Sequence, residues 1–331
     1  MALITRSNSA ICRIGFVGTG GVAARHAGIL AGFDDVELVA ATDVDPRRAA
    51  EFAHPHGMSV VPDVAALLAR HVDAVYVGVP PFAHGALEAE LATAGVALFI
   101  EKPLAIDEAT AEEIGQRLAA AGVLTRVGHH WRCATPVHRA RELLAGREIR
   151  LVSAAWWDKV PPVGWWTDRS RSGGPLVEQA VHLLDTARVL VGDVAQVHTL
   201  SAGPVPGGSV DAATAAVLRF ASGAVGTLTS TCVLNGKHRA GLEIVADGLV
   251  IGVGEDWLEV HDGGKGVGER RVEWDPWPAR VAADRVFVDA VRGRETDPDR
   301  SPPDYPEALR SHRVACALAR SATSGRSEQL Q

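Results

Sequence analysis

Two groups of residues in this sequence have the types and spacing needed for acid–base and electrostatic catalysis. Lys102 follows the apolar run 97–100 and is one of only four lysines in 331 residues, against 33 lysines and arginines together. An ammonium at the end of a buried strand can polarise a substrate oxygen and stabilise charge that develops on it. Glu178 and His182 are four residues apart, so a helix would place them on one face. The carboxylate would then fix the imidazole tautomer and leave the second ring nitrogen as a base for a substrate hydroxyl.

A glycine-rich segment lies between the first apolar strand and the first helical pattern. Its sequence, Gly18-Thr19-Gly20-Gly21-Val22-Ala23, follows the G-x-G-x-x-A pattern that binds the pyrophosphate of a dinucleotide. Asp43 ends the next strand, at the spacing where a carboxylate can hydrogen-bond both hydroxyls of an adenosine ribose. The same carboxylate would repel a 2′-phosphate, so we predict NAD as the cofactor. Arg47 and Arg48 lie nearby in sequence and leave NADP as the less favoured alternative.

The first half of the chain alternates strands with helices, which predicts a doubly wound parallel sheet of the Rossmann type. Ligands of such sheets bind at the carboxyl ends of the strands. Three segments follow strand ends and are expected to share one crevice: Pro80–His84, Glu101–Pro103 and His129–Arg132. We predict that the cofactor contacts Pro80, His84, Glu101 and Lys102, and that the substrate contacts His130 and Arg132.

The second half contains a series of short strands and a final helix. Strand-like runs at 215–220, 225–231, 242–246, 249–253 and 257–260 are punctuated by turn signals such as Asp247-Gly248, which predicts an antiparallel meander. We predict a helix over 305–321 and a frayed end from Gly325 onward.

Four segments together resemble the Gfo/Idh/MocA family of nicotinamide-dependent oxidoreductases, named for glucose–fructose oxidoreductase and inositol dehydrogenase. They are the glycine-rich segment, Pro80–His84, Glu101-Lys102-Pro103, and the run from Gly173-Gly174-Pro175 to Asp185. The resemblance implies that Lys102 is the catalytic lysine and that the bond before Pro103 is often cis. It also implies a C-terminal α/β domain with a large, mostly antiparallel open sheet, whose outer face commonly forms an oligomer interface. We therefore predict a dinucleotide-binding domain at 1–131, a substrate-binding and oligomerisation domain at 132–331, and a homodimer or homotetramer.

Aromatic residues suggest the class of substrate. Five of the eight tryptophans fall between Trp131 and Trp166, and flat faces with N–H donors suit a sugar, a cyclitol or another polyol. Some of these rings could instead fill the domain core. The segment 158–169 is predicted to be a substrate lid, with Lys159, Trp165 and Arg169 as candidate contacts. Asp185 is a further candidate, either orienting His182 or capping a buried network.

Charge and composition argue against several other classes. The net charge is −7, and the sequence has no basic run of the density that a nucleic-acid site needs. It also has no apolar stretch long enough for a membrane span and no signal-peptide pattern at its start. The four cysteines lie far apart, which predicts free thiols in a cytoplasmic protein. No metal is expected, because the histidine pairs lack acidic or cysteine partners at ligand spacing.

The residues and the resemblance together predict an NAD(P)-dependent dehydrogenase acting on a secondary hydroxyl of a sugar, cyclitol or related polyol. In oxidation His182, supported by Glu178, would take the hydroxyl proton while Lys102 holds the oxygen. Two alternatives remain open. One is an enzyme whose tightly bound NAD is recycled within turnover, in an elimination, epimerisation or glycoside cleavage. The other is a non-catalytic NAD-binding sensor with the same fold.

Overall fold

The computed structural model describes residues 11–262 and 268–330. Within this part, contacts between residues divide the chain into two units. The first unit comprises the chain up to Ala105, Ala109–Gly128 and Arg280–Glu307, and the second comprises Ile106–Glu108, His129–Ala279 and the chain from Ala308 onward.

A parallel sheet forms the centre of the first unit. Its strands are β1 (Cys12–Val17), β2 (Val36–Thr42), β3 (Ser59–Val60), β4 (Ala74–Val77), β5 (Ala97–Ile100) and β6 (Thr125–Val127). They lie in the order β3-β2-β1-β4-β5-β6, and each neighbouring pair is parallel. The order reverses beside β1, which is the doubly wound arrangement predicted from the sequence.

Helices connect these strands: α1 (Gly21–Leu30), α2 (Pro46–Ala53), α3 (Val64–Leu68), α4 (Ala86–Thr93) and α5 (Glu108–Ala121). Short 3-10 helices cover His54–His56 and Pro81–Ala83. Side chains cap some of these helices: Asp45 accepts from the N–H groups of Arg47 and Arg48 in α2, and Asp63 accepts from the Ala66 N–H in α3. Among the described residues, no side chain caps α1, whose N-cap is Gly20. Its first N–H groups are therefore available to a ligand.

Aromatic rings fill the core of the first unit. Tyr76 stacks on Phe99 with ring centroids 4.7 Å apart, and Phe287 from the returning segment packs edge-on against both. Phe16 and Phe99 are at most 1% exposed. Burial of each such phenylalanine contributes about 1.5–3 kcal/mol. The apolar runs that predicted buried strands therefore pack as expected.

A nine-stranded, mostly antiparallel sheet forms the second unit. Its strands are β7 (Ile149–Trp157), β8 (Val194–Ser201), β9 (Ala213–Phe220), β10 (Val225–Thr231), β11 (Arg239–Ala246), β12 (Leu249–Val253), β13 (Trp257–Asp262), β14 (Gly268–Glu273) and β15 (Glu328–Gln329). The order is β14-β13-β12-β11-β7-β10-β9-β8-β15. The predicted open sheet is confirmed. The predicted antiparallel meander is found within β8-β9-β10 and within β11-β12-β13-β14, but it is interrupted between β10 and β11. Strand β7 inserts between β10 and β11, parallel to the first and antiparallel to the second, because alternation marks a strand without specifying its distant neighbours.

The chain terminus is also more ordered than predicted. The last helix continues to Ser324, and Glu328 in β15 then pairs antiparallel with Val197 in β8. Arg320 donates from Nε to Glu328 at 3.1 Å. The frayed end predicted from Gly325 onward is therefore wrong, because backbone pairing and this ion pair fix the segment.

The remaining helices are α6 (Thr135–Leu144), α7 (Arg169–Ser172), α8 (Pro175–Glu178), α9 (Val181–Val191), α10 (Trp277–Val291) and α11 (Tyr305–Ser324), with 3-10 helices at His130–Cys133 and Pro298–Arg300. The single helix implied by the spacing of Glu178 and His182 is in fact two, α8 and α9. The N–H groups of Gln179 and Ala180 both donate to the Pro175 carbonyl, each at 3.0 Å. The second bond spans five residues and widens the turn, so the period of 3.6 residues does not carry through it. In the described part of the chain, no helix combines the length and apolar character needed to cross a bilayer.

The four cysteines lie within the described residues, are buried, and form no disulfide, which confirms the prediction of free thiols. Burial raises the pKa of Cys12 and of Cys316 to about 12. Both therefore stay protonated and unreactive at neutral pH.

Candidate active site

The glycine-rich turn in the first unit leaves space beside the start of α1. Gly18 adopts φ +81°, and a Cβ there would lie 2.7 Å from the Gly78 carbonyl oxygen, so only glycine fits. A Cβ on Gly20 or Gly21 would meet nothing within 4 Å. The open space therefore faces the uncapped N–H groups of α1, which is the arrangement that binds an anion.

Asp43 is held in place at the end of β2. Its Oδ2 accepts hydrogen bonds from the Thr19 backbone N–H and hydroxyl, each at 2.8 Å, and its Oδ1 accepts from the Asp45 N–H at 2.9 Å. Burial alone would raise the pKa of Asp43, but these hydrogen bonds outweigh it and lower the pKa. Arg48 Nε lies 3.9 Å from Asp43, and the neighbouring Val44 side chain is fully exposed. A fixed anionic carboxylate beside an exposed apolar side chain suits an adenosine ribose and its base.

His84 provides a buried polar group after β4. Its Nδ1 is 2.6 Å from Glu88 Oε1, and Glu88 Oε2 accepts from the Gly85 N–H at 2.7 Å. His84 Nε2 is buried and makes no hydrogen bond with any described residue. An unsatisfied buried nitrogen costs about 1–3 kcal/mol, so a ligand that bonds to it would recover that energy. Pro80, which precedes the 3-10 helix 81–83, is half-buried.

Lys102 lies at the end of β5, in the turn predicted from the sequence. Its backbone N–H donates to Glu101 Oε2 at 3.2 Å, and the bond to Pro103 is cis, which confirms that expectation. The Glu101 side chain is buried, whereas Lys102 is half-buried. Only the lysine of this turn can therefore reach a bound molecule readily.

Taken together, the residues of the first unit fit a dinucleotide. The open space at Gly20 and Gly21, the uncapped helix start, the ionised Asp43 and the unpartnered Nε2 of His84 supply sites for a pyrophosphate, a ribose and further polar groups.

Aromatic rings surround His182 in the second unit. Trp131 and Trp156 lie nearly parallel to the imidazole, with centroids 5.8 Å and 6.0 Å away, and His129 and His130 contact it edge-on. His182 is 6% exposed. Packing on several sides therefore fixes the plane of the ring. Trp157, the next residue of β7, instead stacks on His238, so the two tryptophans point to opposite faces of the sheet.

Two contacts made by the side chains around this histidine were not predicted from the sequence. His130 Nε2 lies 3.0 Å from Glu255 Oε1, which makes a second histidine–carboxylate pair with a ring centroid 5.4 Å from that of His182. Lys237 places its ammonium 5.0 Å above the Trp156 ring. Nothing in the local sequence around Lys237 marks this contact. Its rarity as a lysine was the one available signal.

Asp185, a candidate substrate contact, is buried and hydrogen-bonded within the protein. It is 1% exposed and accepts hydrogen bonds from Arg132 Nε and Nη2, at 2.8 Å and 2.6 Å, and from Ser311 at 2.8 Å. Burial alone would raise its pKa, but His129 and Arg132 hold the pKa well below the usual range. Asp185 therefore caps a buried network and orients Arg132, and its carboxylate is not available to a substrate.

The segment 158–168 packs on its own small core. Trp166 is fully buried with Val205, Val210 and Cys232, and donates from Nε1 to Glu178 Oε2 at 2.8 Å. Glu178 is thus tied to this loop. Three residues of this region were predicted to contact the substrate. Trp165 packs partly against the same cluster, and Arg169 donates to Asp211 at 2.7 Å. Lys159 is exposed to solvent.

Comparison with known proteins agrees with these features. The family model Gfo/Idh/MocA, an oxidoreductase family with an NAD-binding Rossmann fold, matches residues 12–129, and the Gfo/Idh/MocA C-terminal domain matches residues 137–249. Myo-inositol dehydrogenase Hyg17 of Streptomyces leeuwenhoekii is 30% identical over 328 residues, covering 94% of this chain and 98% of that protein.

Two further relatives extend the comparison. A protein of Amycolatopsis mediterranei, provisionally described as a UDP-kanosamine synthase oxidoreductase subunit, is 35% identical over 166 residues; the match covers 49% of this chain and 46% of that protein. The crystal structure of the WlbA dehydrogenase from Chromobacterium violaceum, in complex with NADH and UDP-GlcNAcA, has the same fold, with a TM-score of 0.85 at 21% identity over 100% of this chain and 99% of that one. Both halves of the chain match their family models in order, so this protein belongs to the Gfo/Idh/MocA family of oxidoreductases, and its first unit is the family's NAD-binding Rossmann domain.

Proposed function

We propose that this protein is a cytoplasmic NAD-dependent dehydrogenase that oxidises a secondary hydroxyl of a sugar, cyclitol or related polyol. The observation that carries the proposal is Lys102, half-buried after β5 in a domain whose dinucleotide-binding turn is intact. Four buried free thiols support a reducing compartment.

Each chemical role is assigned to a residue. His182 accepts the hydroxyl proton, and stacking against Trp131 and Trp156 keeps its ring in one plane for that transfer. Lys102 holds the substrate oxygen and stabilises the charge that develops there. Glu178, on α8, is assigned to fixing the tautomer of the His182 imidazole. Bound NAD supplies the hydride acceptor.

The proposed class of substrate rests on side chains of the second unit, which begins at His129 in this region, three residues before the predicted domain boundary at 132. Trp131 and Trp156 are buried against the ring of the assigned base and make its surroundings apolar, and the half-buried His130 and Arg132 offer polar groups. Apolar C–H faces and polar edges are the features by which a cyclic polyol is recognised. Relatives include myo-inositol dehydrogenase Hyg17 and a D-glucoside 3-dehydrogenase of Escherichia coli, which supports this class.

Net formation of NADH tests the proposal. The purified protein is incubated with NAD and each of a panel of sugars and cyclitols, and NADH is followed by absorbance. Stoichiometric NADH with at least one polyol is expected. Consumption of a polyol without net NADH would instead favour the alternative in which NAD is recycled within turnover. If the protein binds the ligand but turns over nothing, the sensor alternative is favoured.

Replacement of Asp43 by serine is expected to weaken the preference for NAD. The carboxylate is assigned to the ribose hydroxyls, and a hydrogen bond to a charged group contributes about 1.5–3 kcal/mol, so the KM for NAD should rise about 10- to 100-fold. Arg48 remains beside the site to attract a 2′-phosphate. The kcat/KM ratio for NAD over NADP measures the effect, with Glu37→Gln on the same strand as the control. An unchanged ratio would remove Asp43 from cofactor selection.

We also propose that the outer face of the nine-stranded sheet joins copies of this chain into a homodimer or homotetramer. Leu151, Leu200, Val217 and Val225 are each at least 44% exposed on neighbouring strands, and exposed apolar patches mark interaction surfaces. Val217→Lys is expected to shift the protein to a smaller species in sedimentation velocity, whereas Val60→Lys in the first unit should not. A Val217→Lys protein of unaltered mass would count against this face.

A further inference from the structure

His26, on α1, belongs to a buried polar chain in the first unit. Its Nε2 lies 2.8 Å from Glu101 Oε1, and its Nδ1 lies 2.7 Å from Asp284 Oδ1. Tyr76 donates its hydroxyl to the same Asp284 oxygen at 3.1 Å. His26 is 4% exposed and Asp284 is fully buried. These buried contacts therefore connect α1, the end of β5 and α10 in a region shielded from solvent.

The geometry of these contacts indicates the charge on His26. A neutral imidazole has one N–H, so one of its two contacts would set a ring lone pair against a carboxylate oxygen. The doubly protonated ring makes both contacts as charge-assisted hydrogen bonds. Burial alone would lower the pKa of His26, but Asp284 and Glu101 outweigh it and raise the pKa to about 9. Burial would likewise raise the pKa of Glu101, but His26 and then Arg25 lower it to about 2.

The carboxylate of Glu101 connects His26 to the turn that carries Lys102. One oxygen faces His26, and the other accepts the Lys102 backbone N–H at 3.2 Å. Gly128 closes the remaining side, since a Cβ there would lie 2.6 Å from each carboxylate oxygen. A change in the orientation of Glu101 would therefore act directly on the backbone of Lys102.

We propose that His26 is a positioning residue. It is hydrogen-bonded to Asp284 on one side and to the Glu101 carboxylate on the other, and it thereby fixes the backbone from which Lys102 reaches its substrate. This inference rests on the proposed function for its effect on catalysis. The position of the lysine itself can be measured without turnover.

Two substitutions separate the two contacts of the ring. In His26→Gln the amide nitrogen takes the place of Nε2 and can still donate to Glu101. In His26→Asn it takes the place of Nδ1 and can donate only to Asp284. Positioning predicts that kcat falls about 10- to 100-fold in His26→Asn, as when a partner that orients an active-site group is lost. His26→Gln should recover most of that loss, and the substrate KM and NAD affinity should change little in either variant. Equal kcat per folded molecule in both variants would show a purely structural role and overturn the proposal.

The pH dependence of stability gives a second readout. The groups facing the ring are Glu101, Asp284 and Tyr76, with Arg25 beside Glu101. The pKa of His26 is raised from 6.5 to about 9 on folding, so its stabilisation is complete below pH 6.5 and is lost as the pH rises through about 9. The excess free energy of unfolding of the wild type over His26→Gln should shrink across that range. A constant difference would contradict an imidazolium at this position.

Labelling of lysines tests the positioning without turnover. The chain has four lysines, so limited acylation followed by peptide mass spectrometry reports Lys102 separately, with the exposed Lys159 as an internal reference. The ratio of Lys102 to Lys159 labelling should change in His26→Asn and stay at the wild-type value in His26→Gln. An identical ratio in all three proteins would overturn the proposal. A changed ratio in a protein that oxidises no polyol would support the positioning and refute the proposed function instead.

Discussion

Replacement of Lys102 by alanine is expected to lower kcat about 100- to 1,000-fold, the loss typical when a group that stabilises developing charge on oxygen is removed. The turn itself should persist, because Glu101 accepts from the backbone N–H of residue 102, which alanine keeps. NAD affinity should stay close to that of the wild type, since the pyrophosphate and ribose are assigned to the glycine-rich segment and Asp43. Steady-state kinetics and a fluorescence titration with NAD measure the two quantities.

Two controls define what the Lys102 result means. Lys102→Arg keeps the positive charge, but its planar group is bulkier and does not readily release a proton, so it should restore little activity. Arg117→Ala removes an exposed charge from α5, where Arg117 pairs only one turn away with Glu113, and should leave kcat unchanged. A wild-type kcat in Lys102→Ala would remove this lysine from the reaction.

Replacement of His182 by asparagine is expected to lower kcat about 100- to 10,000-fold, the range for loss of a general base. A neutral imidazole has a basic ring nitrogen, whereas an amide nitrogen is not basic, so asparagine cannot replace the ring as a proton acceptor. The acidic limb of the kcat profile against pH should also disappear, because the group that must lose its proton is gone. Rates measured across a pH series report both effects.

A matched surface histidine controls for the substitution. His261 on β13 is exposed and lies 2.9 Å from Glu259, so His261→Asn removes a histidine–carboxylate pair away from the assigned base. Its kcat profile should match the wild type. If His182→Asn kept both the rate and the acidic limb, the base would lie elsewhere, and His130 with Glu255 would be the next candidate.

The parts of the first unit that sequence predicted are those encoded by short motifs. The end of the glycine-rich segment and Asp43 are 20 residues apart, yet helix α1 and strand β2 between them leave few arrangements, and Thr19 does contact Asp43. The position of Lys102 followed in the same way from the run of buried residues before it. Local pattern was sufficient here because parallel strands bring their carboxyl ends to one edge of the sheet.

Features that depend on distant pairing were not predictable in this way. Asp284 is 258 residues from His26, and no pattern around it marks a partner. Strand β7 joins β10 and β11 across the sheet, which turn signals cannot specify. The break between α8 and α9 arises when two N–H groups share the Pro175 carbonyl, and helical periodicity cannot anticipate it. Lys237 stacks on Trp156 only because the sheet brings β7 beside the start of β11.

The central claim is that hydride passes between a polyol carbon and NAD. The most direct test uses a polyol oxidised by the protein, deuterated at the carbon that bears the reacting hydroxyl, and follows deuterium by mass spectrometry in the nicotinamide released to solution. We expect one deuterium in each reduced nicotinamide and none in the oxidised product at that carbon. Product formed with no deuterium in any nicotinamide, free or retained by the protein, would contradict it.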